Sequence, residues 1–340
     1  MPFSPLTQRR LKRFKKNKRA FISLIIFAFF FILSLFAEFI ANDKPIILIY
    51  NGRLYLPVII SYSESEFGGF FDTEADYKDP FIQELLKECW ALWPPVRFSY
   101  DTIRYDAAEP PPTPPTLENP LGLDNHGRDV FARLLYGFRL SVLFGFILTI
   151  FSSFIGVLIG ALQGYYGGRI DLYGQRLIEI WSGIPLFYLL ILASGMIRPG
   201  FWSLLIIMTL FSWTHLIAVV RAEFLKGRNL EYVRAAIVLG VKDRAIMFRH
   251  ILPNALISAM TFLPFILSGS IGTLTSLDFL GLGMPPGTPS IGELLAAGKS
   301  NLHAPWLGIS AFIVVAGMLS LLVFVGEGLR DALDPRTKNV

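Results

Sequence analysis

Cysteine is almost absent from this 340-residue chain: Cys89 is the only one. No intrachain disulfide and no cysteine-rich metal site can form from a single thiol. Charge is scarce too. Only 17% of residues are charged, against 53% hydrophobic and a mean hydropathy of +0.52. A soluble domain of ordinary composition carries about 25% charged residues. The four histidines, His126, His215, His250 and His303, are scattered, and no HExxH occurs, so a metal cluster has no support. No stretch completes GxxxxGK[ST]: Gly298-Lys299-Ser300 has its ending, but Glu293 stands where the first glycine is needed and Gly292 is one residue too far away. Gly281-x-Gly283 lacks the third glycine of a dinucleotide fingerprint. No cofactor or metal is expected on this chain, and any ATP-driven work has to draw on another.

What is present is clustered apolar sequence, the pattern of a polytopic membrane protein. Six runs near the ~20 residues needed to cross a bilayer core lie at about 20–41, 138–162, 173–196, 201–220, 253–275 and 305–327. The first, apolar from Phe21 to Ile40, is too long for a signal peptide and has no small-x-small cleavage site, so it reads as an uncleaved anchor. Residues 9–19, RRLKRFKKNKR, hold eight of the 31 Lys/Arg. Such a run can be a nucleic-acid arm, but just before an apolar segment it reads as a cytoplasmic membrane flank, with no nucleic-acid partner. Alternation then puts 163–172, 221–252 and the tail after 327 in the cytoplasm. The basic residues agree: Arg169, seven Lys/Arg in 221–252, and Arg330, Arg336 and Lys338, against Arg198 and Lys299 alone in the outer loops. The expected organisation is a basic N-terminus at 1–19, a first span at 20–41, an outer insert at 42–137, a five-helix core at 138–327 and a tail at 328–340. Gly156-x-x-x-Gly160 is expected to allow close helix packing, inside this subunit or against another.

The insert carries fifteen Asp/Glu against eight Lys/Arg. Ile46–Tyr50, Asn51-Gly52 and Arg53–Val58 read as a β-hairpin, with Pro57 suggesting an edge strand. Phe81, Ile82, Leu85, Leu86, Cys89, Trp90 and Trp93 recur at helical spacing, which makes the insert a small α+β domain. Pro110-Pro111-Pro112 and Pro114-Pro115 read as a stiff polyproline spacer.

The most informative stretch is Asn229–Asn254, NLEYVRAAIVLGVKDRAIMFRHILPN, a basic loop between two apolar runs. Asn229 is a candidate cap for a first helix, with Glu231 in its first turn, and Gly240 supplies the left-handed residue that ends it. Asp243 is a candidate cap for a second, and Pro253 opens the next run. Caps and a glycine corner describe a rigid docking surface, not a tether.

The spacing Arg234-Ala235-Ala236, Gly240, Ile251-Leu252-Pro253 resembles the EAA loop of ABC importer permeases, with Arg234 where the motif expects Glu. Further matches run from 119 to 336. Asn119–Val130 and Gly164–Asp171 look like segments flanking the second span of dipeptide and oligopeptide permeases. Leu277–Gly283 with Pro285-Pro286-Gly287 looks like their loop between spans five and six, and Gly328–Pro335 like their C-terminal signature. The large insert and the tail are similar to the Yej-type branch, permeases for peptides and the peptide-nucleotide antibiotic microcin C. The resemblance implies an all-α, six-helix inner-membrane permease with both termini cytoplasmic and a small periplasmic α+β insert. Its implied partners are a second permease subunit, a cytoplasmic ABC ATPase carrying ATP and Mg, a periplasmic peptide-binding protein and the lipid bilayer. Glu231, Arg234, Ala235, Ala236, Gly240, Asp243, Leu252 and Pro253 would then couple ATP hydrolysis to alternating access; substrate-binding residues are not implied.

Other readings compete. A proton-coupled secondary peptide transporter needs buried acidic residues and often an internal repeat, and neither is clear here. An intramembrane serine protease would have to use Ser182 and His215. A sensor built on the insert lacks a signalling domain after the last span. Glu179 and His215 are ionisable residues in or near spans, with a Glu179–Arg176 ion pair as the structural reading. Pro185 and Pro264 are expected to kink their helices.

Overall fold

Long apolar runs broken at a few prolines set most of the architecture. In a computed structural model, which describes residues 5–333 apart from 88, 106, 108 and 195–199, the chain is mostly helical. The expectations on Arg198, Arg336, Lys338 and the Asp334-Pro335 end of the tail signature lie outside the described residues. The basic N-terminus forms a helix, α1 (Pro5–Lys16). Asn17 follows and caps α2 (Lys18–Leu35), its Oδ1 accepting from Ala20 N at 3.3 Å. A short turn, α3 (Ala37–Ile40), leads into the insert.

The insert folds around Phe67, buried with Leu48, Ala75 and Tyr77. Strand β1 (Ile47–Tyr50) pairs with β2 (Arg53–Tyr55) through Asn51-Gly52, both at positive φ. Strand β2 stops before Pro57 and lies at the edge of a β2-β1-β3 sheet. The expected helix over 81–93 is shorter than its spacing implied. α4 (Pro80–Leu85) ends near Leu86, and Trp90–Leu92 form β3, antiparallel to β1. Pairing with β1 overrides the helical period there. The proline run is not a free spacer. Thr113 O accepts from Leu123 N at 3.0 Å, and Gly122 lies so close that a Cβ would sit 2.6 Å from that oxygen.

Among the described residues, four helical stretches are long and apolar enough to cross a membrane. They are α2, α5 (Val130–Tyr166), α8 (Phe201–Ser212) continued by α9 (Ile217–Gly227), and α15 (Pro305–Leu333). Two further candidates are bent pairs. α6 (Gly168–Ser182) meets α7 (Leu186–Ser194) at 63°, and the stretch Asp243–Met260 meets α13 (Leu263–Phe279) at 53°. Counting each pair as one span gives six. The first break holds Pro185 and the second precedes Pro264, so both prolines sit where a helix restarts. The expected runs at 173–196 and 253–275 are therefore interrupted. Those at 138–162 and 201–220 are cores of longer elements: α5 has 37 residues, about 55 Å at 1.5 Å per residue, well beyond a ~30 Å bilayer core. α10 (Glu231–Val238), α11 (Asp243–Ala245) and α12 (Leu252–Met260) form the basic loop and its exit. α14 (Ile291–Ser300) precedes α15.

One core joins α2, α5, α13, α14 and α15 through Phe27, Val142, Ile271, Leu294 and Leu322. A second joins α5, α9 and the basic loop through Ala161, Phe224, Val233, Ala236 and Ile251. The glycines of α5 make the second contact possible. A Cβ at Gly156 would lie 2.6 Å from Trp213 O, one at Gly160 2.9 Å from Ile217 O, and one at Gly164 2.6 Å from Arg221 O. Three glycines four residues apart meet three carbonyls four residues apart, so the GxxxG packing is internal to this subunit. The outer faces of the helices expose large apolar groups, including Ile25 and Phe29 on α2 and Ile150 and Phe154 on α5, as a lipid-facing surface requires.

Candidate functional site

The basic loop is built from its backbone outward. Leu230, extended at φ −71° and ψ 145°, precedes α10, and no side chain caps this helix. Asn229 is not the cap: its Nδ2 donates back to Leu225 O at 2.9 Å and closes the end of α9 instead. α10 ends where Val241 N reaches Ala236 O at 3.1 Å and Gly240 N reaches Ile237 O at 3.0 Å. Gly240 sits at φ +75° with nothing within 4 Å of where a Cβ would stand. The glycine is there for its backbone sign, as the sequence predicts, and not for space.

The two alanines of the motif face opposite ways. Ala236 is buried with Val233 against Phe224, Ile246, Met247 and Ile251, while Ala235 is exposed. Small size at Ala236 therefore seats α10 on the helix bundle, and only Ala235 belongs to the outer surface. That surface also presents Val238, 88% exposed, and Leu239, 81% exposed, with Ile237 and Tyr232 beside them. Glu231 and Arg234 are exposed as well.

Asp243 is the first residue of α11, not its cap; Lys242 holds that place. The carboxylate accepts from Tyr165 Oη at 2.7 Å and ties the loop to the end of α5. A π-helical turn, Ile246–Ile251, leads into α12. Leu252 packs on the buried cluster, and Pro253 lies in the first turn of α12, where a missing N–H costs nothing.

Residues that sequence reasoning passed over hold the loop to the membrane helices. Arg221 of α9 grips Asp171 of α6 with two bonds, Nε to Oδ1 at 2.5 Å and Nη2 to Oδ2 at 2.6 Å. Arg228 Nη1 donates to Tyr165 O at 3.2 Å. Glu223 Oε1 accepts from Ser258 Oγ at 3.0 Å, linking α9 to α12. Charged residues at the boundary of apolar runs are the signal that could have found them.

The opposite end of the bundle holds a buried ion cluster. Asp129 caps α5, its Oδ1 accepting from Ala132 N at 2.7 Å, and Asn119 Nδ2 donates to Oδ2 at 2.8 Å. Burial pushes the Asp129 carboxyl up, against the pull of those two donors. Asp124 Oδ2 accepts from Arg128 Nε at 2.8 Å. Glu293, in the first turn of α14, takes Arg128 Nη2 at 3.0 Å and Arg133 Nη2 at 2.7 Å. Arg133 is fully buried and also donates to Tyr100 O and Thr288 O. Arg128 and Arg133 meet Asp124 and Glu293, so these four charges balance, while Asp129 beside them is held by neutral donors. The Asn119–Val130 motif is thus a clasp between the insert, α5 and α14.

Glu179 pairs with Arg176 at 2.5 Å, an exposed i,i+3 pair. His215 Nδ1 bonds Ser212 O at 2.6 Å, not Ser182. Among the described residues no group of three or more His, Cys, Asp or Glu could hold a metal.

Two family descriptions match the chain. The binding-protein-dependent transport system inner membrane component matches residues 156–339, and the N-terminal TM domain of oligopeptide transport permease C matches residues 4–57. The inner membrane ABC transporter permease protein YejE of Escherichia coli is 56% identical over 98% of both chains. The peptidoglycan transport system permease protein YejE of Agrobacterium fabrum is 54% identical over 98% of this chain and 94% of its own. The oligopeptide transport system permease protein OppC of Bacillus subtilis is 32% identical over 73% of this chain and 81% of its own.

Proposed function

The chain belongs to the inner-membrane permeases of ABC peptide importers, in their Yej-type branch, and on that premise we propose how its parts divide the work. Members of this family are permease subunits and not themselves enzymes. This subunit and a second permease form the path for a peptide, and a periplasmic binding protein delivers the peptide to the side that carries the insert. Both termini and the 229–253 loop lie in the cytoplasm. There α10 docks in a groove of an ABC ATPase, which carries ATP and Mg. Closure of two nucleotide-binding domains on ATP moves α10, and with it the path changes from inward- to outward-facing; hydrolysis resets it.

The observation that carries this reading is the outward face of α10. Val238 and Leu239 are 88% and 81% exposed in a loop that holds Arg234, Lys242, Arg244 and Arg249. An apolar patch of that kind on a polar loop marks a protein contact. Ala235 allows close approach, and Arg234 replaces the acidic residue of the motif, so the ATPase groove is expected to offer a carboxylate or a neutral group at that point. Asp243, tied to Tyr165, and Ala236, set in the buried cluster, transmit force rather than touch the ATPase. Leu252 and Pro253 carry it into α12.

Peptides, including the peptide-nucleotide microcin C, are the proposed cargo. The name of the Agrobacterium relative adds peptidoglycan fragments as a second candidate.

The test is purification of the detergent-solubilised complex with Gly240→Pro and, separately, Val238→Asp. Proline fixes φ near −65° and is incompatible with +75°. The expected result is loss of the co-purifying ATPase and of peptide import, with the subunit still inserted. Full import by both variants would overturn the docking role. Competition of labelled peptide uptake by microcin C and by peptidoglycan fragments ranks the cargoes.

A further inference from the structure

One helix face in the apolar bundle has the wrong chemistry for lipid. Faces turned outward elsewhere carry large apolar groups such as Phe29, Ile32, Ile150, Phe154, Phe312 and Ile313. Along α13, Gly269 and Ser276 are exposed, with Gly272 and Thr273 half-buried between them. A hydroxyl turned to hydrocarbon gains nothing there.

Packing within the subunit does not demand these small residues. A Cβ at Gly269 would meet nothing within 4 Å, and one at Gly272 only Leu319 at 3.9 Å. Gly145, Gly156 and Gly164 each meet a neighbour at 2.7 Å or less. Space at 269 and 272 is thus kept open for something outside the fold.

Two cavities adjoin this face and share Gly269 and Thr273. One, of about 300 Å³, is bounded by His215, Ser212 and Phe262. The other, of about 720 Å³, continues past Ser276 and Phe187. Both fall in the size range of small-molecule sites. The polar groups are poised. Thr273 Oγ1 and Ser276 Oγ donate to Gly269 O and Gly272 O of their own helix at 2.9 and 2.8 Å, which leaves their oxygen lone pairs outward. His215 Nδ1 lies 2.6 Å from Ser212 O, a group that can only accept, so Nδ1 carries the hydrogen and Nε2 of the neutral ring is an acceptor.

We infer that His215 and the Gly269–Thr273–Ser276 face of α13 are this subunit's contact surface for the main chain of the translocating peptide. The surface offers the two hydroxyl oxygens and, in the neutral ring, His215 Nε2 as acceptors for amide N–H groups, and the glycines let the chain lie close to the helix. Main-chain recognition of this kind is indifferent to side-chain sequence. The inference rests on the peptide-import reading above.

The test uses the complete transporter in membrane vesicles. A photo-cross-linking phenylalanine derivative replaces Thr273 or, as a lipid-facing control, Ile313. Illumination during import is expected to capture labelled peptide at 273 and not at 313. Import measured in parallel is expected to fall about tenfold for His215→Ala, the effect of one lost hydrogen bond, and to recover in His215→Gln, whose amide oxygen also accepts. Gly269→Leu fills open space and is expected to block import while the subunit still co-purifies with its ATPase. Capture of the second permease alone at 273, or equal capture at 313, overturns this contact surface while leaving import intact. Full import by His215→Ala removes the histidine from it. A wild-type complex that imports no peptide brings down both readings.

Discussion

The two ends of the helix bundle are held together by different means. At the insert side, Asp124, Arg128, Arg133 and Glu293 form a buried, charge-balanced cluster that joins residues 165 positions apart. Asp124, Arg128 and Arg133 have lost nearly all contact with water, so they depend on their partners, while Glu293 keeps a third of its side chain exposed. At the loop side, the ties are one bidentate ion pair, Arg221–Asp171, and single bonds such as Tyr165–Asp243, all partly in contact with solvent. Solvated bonds of this kind exchange with water at small cost. The first end is tied through buried charges and the second through bonds open to water, which suits the proposed role of the second as the surface an ATPase moves.

The sharpest way to break the comparison is at Arg133. Arg133→Ala leaves Glu293 short of a partner and an empty space in a fully buried position. Glu293 keeps Arg128 and some water, so the main cost is the cavity left by a large buried side chain, about 2–5 kcal/mol. The expected outcome is aggregation, or a much lowered unfolding midpoint, in detergent thermal scans. Arg133→Lys is expected to rescue little, because a single ammonium cannot also reach Tyr100 O and Thr288 O. An unchanged midpoint in Arg133→Ala would show that the insert side is not the rigid end.

Gly164→Ala comes next. Its Cβ would lie 2.5 Å from Phe224 Cβ and 2.6 Å from Arg221 O, so α5 and α9 must separate. Overpacking of this sort costs about 1–3 kcal/mol. Gly269→Ala, with open space at the new methyl, is the control and is expected to leave the midpoint unchanged. Equal effects from the two would mean that the glycine stripe of α5 does not set the helix contact.

These two positions also show what the sequence made legible. Gly156 and Gly160 announced a close helix contact by their spacing, but not its partner, because Trp213 and Ile217 enter only through the fold. The hairpin was readable from Asn51-Gly52, a local signal. Strand β3 was not, since Trp90–Leu92 are a strand only by virtue of β1 beside them. The Gly240 corner was readable from one residue. The caps beside it were not, because Asn229 and Asp243 had other partners in Leu225 and Tyr165. Likewise Arg133 and Glu293 are unremarkable singly, and their meaning lies in a contact that no local pattern encodes.

A change on the surface of α10 sharpens the contrast from the other side. Val238→Asp alters a side chain that touches water and little else, so stability is expected to change by no more than about 0.5 kcal/mol. ATPase binding is nonetheless expected to fail. A variant that is stable and uncoupled, beside an Arg133→Ala that aggregates or melts early, would separate the two ends by function. Loss of stability in Val238→Asp would mean that the α10 surface is part of the fold instead.

The smallest effect is expected at Tyr165. Tyr165→Phe deletes one hydroxyl and its 2.7 Å bond to Asp243, and leaves the ring in the cluster under the loop. Because Asp243 is exposed, water can take the place of the lost donor, and the global cost is expected to be about 1 kcal/mol or less. A global scan would barely register it, but amide hydrogen exchange should. Protection is expected to fall in the segment 239–246, while α5 and the clasp residues keep theirs, because the bond tethers only that corner. If exchange rises through α5 as well, the loop is not a separately movable body, and the distinction between a fixed end and a movable end is lost.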